Sequence, residues 1–333
     1  MNQASTALIH LHDLHKKFSK RPDMVERLFQ RLAKRPANET VHAVNGVSLA
    51  IQPGEVLGLV GESGCGKSTL GRMVAGLMPA TEGNVNYKGR DIRTLNSKEH
   101  LEYILDVQLI FQDPLASLNP KQKLGKIISE ALYVHRLLPK AEIPERIDQA
   151  LLEVGLDPEY KHRLPHQISG GQRQRIGIAR ALAVNPSFLV CDEPVAALDV
   201  SIQAQVINLF MDLRDRHQLT YLFISHDLGV VRHISDRVAI MYLGKIVELA
   251  SRDDIFNRPA HPYTQALLAE MPSIQKQKRV FAPIKGEIPS PLNPPSGCTF
   301  HPRCPIAKNI CKQKAPILKN VHAQHQAACH LLD

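Results

Sequence analysis

The chain has 333 residues, 44% of them hydrophobic and 22% charged, with 41 Lys and Arg against 32 Asp and Glu for a net charge of +9. That composition belongs to a folded globular protein of about two domains and excludes a disordered or collagen-like chain. No stretch approaches the roughly 18–20 consecutive apolar residues of a membrane helix, and Met1–His10 lacks the basic flank and apolar run of a secretory signal, so a cytosolic protein is expected.

Ala7–Phe18 and Val41–Ile51 alternate short apolar stretches with polar residues, the mark of half-buried strands. Between them residues 16–35 hold eight basic and two acidic side chains. Pro53–Gly54 makes a turn. Val56–Val60 is a continuous apolar run ending in Gly61, as in a strand buried on both faces. Leu70, Met73, Val74 and Leu77 recur at helical spacing, so the order is strand, glycine-rich loop, helix. From Asp113 to about Ala183, Ile127, Ile128, Ala131 and Leu132, then Ile147, Leu151 and Leu152, repeat with helical period between prolines and glycines, as in a helical insertion. Phe188–Cys191 is another apolar strand, closed by Asp192, Glu193 and Pro194. Ile202–Leu213 follows as a helix with Val206, Leu209, Phe210 and Leu213 on one face, and Tyr221–Ile224 is a third strand. This alternation predicts a mostly parallel α/β sheet.

Past Asn257, eleven prolines between Pro259 and Pro316 are expected to break up regular elements, placing a domain boundary near Arg258. Residues 272–333 carry nine basic and two acidic side chains; with residues 16–35 they exceed the whole surplus, leaving the rest of the chain at −4. A polyanion-binding face on the main domain, and hence a nucleic-acid partner, is not expected. Cys65 and Cys191 are isolated in Gly-rich or apolar surroundings and read as small buried thiols. Cys298, Cys304, Cys311 and Cys329 fall within the last 36 residues at C-x5-C-x6-C-x17-C. Without a secretory signal such a cluster points to metal ligation rather than disulfides. A small Pro-rich region gains from such a staple.

Gly61-Glu62-Ser63-Gly64-Cys65-Gly66-Lys67-Ser68, with Thr69 behind it, fits G-x-x-x-x-G-K-[ST] between a strand and a helix. Successive backbone N–H groups and the helix N-terminus then face the β and γ phosphates of a nucleotide. Lys67 supplies a point charge and the Ser68 hydroxyl a ligand for Mg²⁺. Asp192 and Glu193 end an apolar strand where a nucleotide hydrolase needs carboxylates, the first to hold Mg²⁺ and the second to polarise the attacking water. Ser169-Gly170-Gly171-Gln172 opens a helix and is a second anion-binding N-terminus.

With Gln112 after Phe111, Ala197-Leu198-Asp199 and Ser225-His226-Asp227, this set resembles an ATP-binding cassette ATPase from Lys16 to about Glu248. The resemblance implies a P-loop NTPase fold: a RecA-like parallel sheet core, an antiparallel β subdomain and an α-helical subdomain at about 113–183. It also implies a nucleotide-binding domain over residues 1–258 and a small Pro/Cys-rich extension over 259–333. Phe18 corresponds to the aromatic that stacks on adenine, with a core Phe as the alternative. Gln112 corresponds to the residue that touches Mg²⁺ and relays to the transmembrane partner, His226 to the switch histidine on the γ phosphate, and Asp199 to a contact across a dimer. In this family Ser169–Gln172 meet the ATP of the opposite subunit, so two ATP molecules are sandwiched in a dimer.

His261-Pro-Tyr-Thr-Gln-Ala-Leu-Leu, the run from Gly286 to Cys298 and His301-Pro-Arg-Cys304-Pro resemble the C-terminal extension of ATPases of the dipeptide, oligopeptide and nickel importer group. Ala116-Ser-Leu-Asn-Pro120 and the basic insert favour its F-type subunit. Ala196 departs from the Ser common there, at no catalytic position. The resemblance implies ATP hydrolysis driving uptake of di- or oligopeptides, with nickel or glutathione import as alternatives and a soluble cassette acting on nucleic acid as a more distant one. Its implied partners are a paralogous D-type ATPase, two transmembrane permease subunits and an external binding protein, on the cytoplasmic face of the membrane. The four thiolates suit either Zn²⁺ or a [4Fe-4S] cluster. Some members carry a cluster at the matching cysteines, which favours iron–sulfur; unligated reduced thiols are the third reading. The two basic segments are expected to contact anionic lipid headgroups or the permease.

Overall fold

The computed structural model describes residues 7–19, 40–271 and 286–332. Most of the basic insert, including Lys34 and Arg35, lies outside the described residues. In chain order come β1 (Ile9–Ser19), β2 (Thr40–Ile51), β3 (Val56–Val60), α1 (Lys67–Val74), β4 (Glu82–Tyr87) and β5 (Arg90–Asp91). Next are α2 (Ser97–Asp106), β6 (Val107–Ile110), and a helical region of α3 (Leu124–Val134), α4 (Ile143–Glu153) and α5 (Gly170–Leu182). Strands and helices then alternate: β7 (Phe188–Asp192), α6 (Val200–His217), β8 (Thr220–Ser225), α7 (Leu228–Ile234), β9 (Arg237–Tyr242) and β10 (Lys245–Ser251). The chain closes with α8 (Arg252–Asn257), α9 (Pro262–Ala269), α10 (Asn309–Gln313), β11 (Lys319–His322) and β12 (His325–Ala327).

Two sheets result. A four-stranded antiparallel sheet runs β2-β1-β4-β5, and an eight-stranded sheet runs β11-β12-β10-β9-β3-β8-β7-β6. The centre of the larger sheet is parallel, from β9 through β3, β8 and β7 to β6. Every residue of β3, β7 and β8 is buried, because helices and the second sheet cover both faces. This explains why those strands read as unbroken apolar runs. The three outer strands β10, β12 and β11 are added antiparallel. β9 and β10 turn through Leu243 and Gly244, both at positive φ, as a two-residue hairpin turn of right-handed twist requires.

Three apolar clusters hold these layers. Ile127, Ile147 and Ile176 of the helical region pack with Phe210 and Phe223 against one face of the parallel sheet. Leu11 and Val47 of the antiparallel sheet meet Leu59, Leu70 and Ile224 across the other. A third cluster sits on β9 and β10 and takes Tyr263 and Phe300 from the Pro-rich region. At about 2 kcal/mol for each large side chain fully buried, these contacts explain how the described part of the Pro-rich region is held without a core of its own. The expectation that the prolines break up regular elements is corrected in part. Pro262 stands at the first turn of α9, where a missing N–H costs nothing, and β12 finds its hydrogen bonds on β10.

Candidate active site

The loop from Gly61 to Gly66 joins β3 to α1 at the carboxyl edge of the parallel strands. Two glycines are required there by contact, and Gly66 by conformation as well. A Cβ at Gly66, whose φ is +109°, would lie 2.1 Å from the Ala43 carbonyl oxygen, and one at Gly61 would lie 2.1 Å from that of Met241. The loop is thus pressed between β2 and β9. Lys67 is buried and its Nζ donates to the carbonyls of Gly61 (2.8 Å) and Glu62 (3.1 Å), 3.9 Å from Glu193 Oε1. Ser68 Oγ donates to Asp192 Oδ1 at 2.7 Å. Burial pushes the Asp192 carboxyl above its ordinary range, opposed by the Ser68 hydrogen bond.

Glu193 follows β7 with φ at +48°, a strained conformation for a residue with a side chain. Its Oε2 accepts from Gln112 Nε2 at 3.0 Å and lies 3.1 Å from His226 Nδ1. His226 stands between β8 and Asp227, whose carboxylate caps α7 by accepting from Gly229 and Val230. Ser63, Gly64, Gly66, Lys67, Ser68, Thr69, Gln112 and Glu193 line one cavity of about 210 Å³. Cys65 is buried beneath the loop, where burial pushes its thiol up.

Other candidates stand apart from this cavity. Phe18 is 41% exposed, with Lys16 Nζ 5.3 Å from its ring centre, and it pairs in register with Val41, which lines the cavity. It is therefore not a core residue. Ser169 caps α5: its Oγ accepts from Gln172 N–H, and Gln172 Oε1 accepts from Ser169 N–H. Ser169, Gly170 and Asp199 are exposed, and none of Ser169–Gln172 lines the cavity.

Sequence reasoning missed a set of residues that reach the loop from the extension. Arg303 pairs with Glu62 through two contacts of 2.6 and 2.9 Å, and the Tyr263 hydroxyl accepts from Glu62 N–H at 3.0 Å. Pro291 lines the cavity, and its carbonyl accepts from His42 N–H at 3.2 Å. No local spacing could signal contacts made across 200 positions or more.

Cys298, Cys304, Cys311 and Cys329 line one small cavity together with His261 and Phe300. Burial first, and then the neighbouring Cys311 and Cys329, pushes the thiols of Cys298 and Cys304 up. Among the described residues, however, no group of three or more His, Cys, Asp or Glu side chains is arranged to hold a metal ion. The expected metal-holding tetrad is met as a convergence of four thiols and not as ligand geometry. Cys191, fully buried in β7, fits the reading of an inert thiol.

Comparison with known proteins bears on both regions. The ABC transporter family matches residues 44–196, and the oligopeptide/dipeptide transporter C-terminal region matches 247–311. The chain is 51% identical over 328 residues to the oligopeptide transport ATP-binding protein AppF of Bacillus subtilis, covering 97% of each chain. It is 49% identical over 300 residues to OppF of Salmonella typhimurium, covering 89% of each. A dimeric post-hydrolysis state of the ATP-binding cassette MJ0796 bound to ADP and Pi superposes with a TM-score of 0.61 at 25% identity, covering 73% of this chain and 98% of that one. The chain therefore belongs to the ABC transporter ATP-binding proteins, in the branch that carries the oligopeptide/dipeptide transporter C-terminal region.

Proposed function

We propose that the chain is the ATP-hydrolysing subunit of an importer of di- or oligopeptides, with a nucleotide-binding part to about residue 258 and an extension beyond it. The observation that carries the reading is that Lys67, Ser68, Gln112 and Glu193 line one cavity and that Asp192 and His226 are hydrogen-bonded to Ser68 and Glu193 beside it, six residues from four separate segments. The loop N–H groups and Lys67 take the phosphates, and Phe18 offers its exposed ring to the base. Ser68 and Asp192, already in contact, present the oxygen pair that Mg²⁺ prefers. With Gln112 they would hold the ion, which supplies charge neutralisation at the phosphates. Glu193 is oriented by two donors and stands ready to take a proton from the attacking water. His226 steadies that carboxylate and faces the terminal phosphate.

The exposed cap of α5 and exposed Asp199 suit a partner subunit, since a helix N-terminus and its free donors attract phosphate. The neighbouring structure's dimeric state with ADP and Pi supports this. The partner in this reading is a D-type paralogue, and together they close on ATP and drive two permease subunits that receive peptide from an external binding protein. No helix among the described residues is long and apolar enough to cross a membrane, which suits a peripheral subunit on its cytoplasmic face. Uptake of labelled oligopeptides should be restored in a deletion strain by the wild-type chain and not by Glu193→Gln. Equal restoration by both would end the proposal.

For the extension, the convergence of Cys298, Cys304, Cys311 and Cys329 on one cavity, together with the resemblance to importer ATPases that carry a cluster at the matching cysteines, supports a [4Fe-4S] cluster over Zn²⁺. Such a group would serve to staple the extension. Protein purified without air should contain about four iron and four acid-labile sulfide per chain. Zinc at about one per chain, or neither metal, would replace that reading with the corresponding alternative.

A further inference from the structure

Glu62, the second residue of the phosphate loop, carries a carboxylate next to Ser63 and Gly64, which line the cavity, without lining it itself. Left bare, it would repel the phosphates in a site where partial burial weakens screening. Arg303 answers it: its side chain is 5% exposed, and its guanidinium holds both carboxylate oxygens and is itself held against the Tyr242 ring at 5.9 Å. The Glu62 N–H is fixed by the Tyr263 hydroxyl and the Glu62 carbonyl by Lys67 Nζ. Tyr263 and Phe300 pack on each other and on Tyr242. Glu62 is thereby pinned at its backbone and at its side chain, with the extension supplying Arg303 and Tyr263.

We propose that Arg303 is a positioning residue for the ATPase reaction: it neutralises Glu62 and sets the phosphate loop for ATP. This deepens the ATP-site reading above and rests on it. A bidentate pair is suited to the task because it fixes orientation as well as charge.

The test uses the full chain, measuring KM for MgATP, kcat and the thermal midpoint. Arg303→Met should raise KM about tenfold, a common size for coupling between groups in contact, with kcat at saturating ATP falling less than about threefold. Adding Glu62→Gln to that variant should bring KM back to within about threefold of wild type, since the repelling charge is then gone. A role in packing alone predicts no such reversal: a double variant as impaired as Arg303→Met, or KM unmoved in Arg303→Met while the midpoint falls, would overturn the proposal. If Arg303→Met does not fold, Arg303→Gln, which keeps a donor, takes its place with the same reversal expected. A wild-type chain without ATP turnover would overturn both this and the ATP-site reading, whereas absent reversal in an active enzyme removes this one alone.

Discussion

The phosphate loop is held on two sides by different material. On the cassette side it meets backbone: the Ala43 and Met241 carbonyls lie where any Cβ at Gly66 or Gly61 would have to go. On the extension side it meets side chains, Arg303 and Tyr263, brought from 241 and 201 positions away. The backbone side tolerates no change in shape and is written in a short, contiguous motif. The side-chain side is graded, can be weakened by single atoms, and leaves no trace in local spacing. One side therefore makes the site and the other adjusts it.

The largest effect that sharpens this contrast is chemical. Glu193→Gln should lower turnover by about 10²–10⁴, the range for loss of a general base, while ATP affinity by equilibrium binding stays near wild type; turnover above a tenth of wild type would remove Glu193 from that role. Gly66→Ala comes next. With a carbonyl 2.1 Å from the new Cβ and φ at +109°, the loop must shift, and KM for ATP should rise about 100-fold, as a displacement of about 1 Å commonly costs. An unaltered KM would mean that the backbone side is no more demanding than the side-chain side.

A third prediction separates the two sides by pH. His261 caps α9 with Nδ1 accepting from Tyr263 N–H at 3.0 Å, so that nitrogen carries no proton, and burial pushes the imidazole down to about 4. The unfolded chain takes up the proton near pH 6.5 and the folded chain only near 4. Stability is therefore complete above about 6.5 and is lost as pH falls toward 4, by about 3 kcal/mol in all. His261→Asn, which keeps an acceptor at the cap, should flatten this part of the pH profile of urea unfolding; an unchanged slope would assign the acid sensitivity elsewhere. The smallest effect is expected from Tyr263→Phe. It deprives Glu62 N–H of one neutral hydrogen bond, worth about 1 kcal/mol, and should raise KM for ATP about threefold to fivefold. A rise as large as that of Gly66→Ala would erase the contrast.

Legibility in the sequence follows the same division. The strand, loop and helix around Lys67 were readable because β3 is buried on both faces and α1 keeps one apolar stripe. Asp192 and Glu193 were readable as the end of a buried strand, and Ser169–Gln172 as the start of a helix, which the structure shows closed by a reciprocal cap between Ser169 and Gln172. The β9–β10 hairpin was not, since Leu243 stands in a left-handed position where Asn or Asp usually signals the turn. β11 and β12 are too short and too polar to carry a period, and their pairing is decided by β10. Arg303 lay within a stretch noted for its resemblance, yet only the fold brings it to Glu62. The four cysteines were visible as a cluster, whereas their convergence on one cavity depends on how the extension wraps.

The pairing of β12 with β10 has a consequence for how the chain is made. Glu248 in β10 is fully buried and accepts from the N–H groups of Ala260 and His261 and from His325 at 2.7 Å, while Ala328 N–H donates to the Val247 carbonyl. His325 follows Glu248 by 77 positions, so it is translated well after β10. Until His325 and Ala328 emerge, β10 offers an open edge and Glu248 lacks its imidazole partner, so the growing chain passes through a stage with a strand edge exposed to its neighbours on a polysome. Ribosome-stalled chains ending at Pro316 should therefore bind chaperones and resist folding as judged by pulse proteolysis, and chains extended far enough for β12 and Ala328 to clear the ribosome should not.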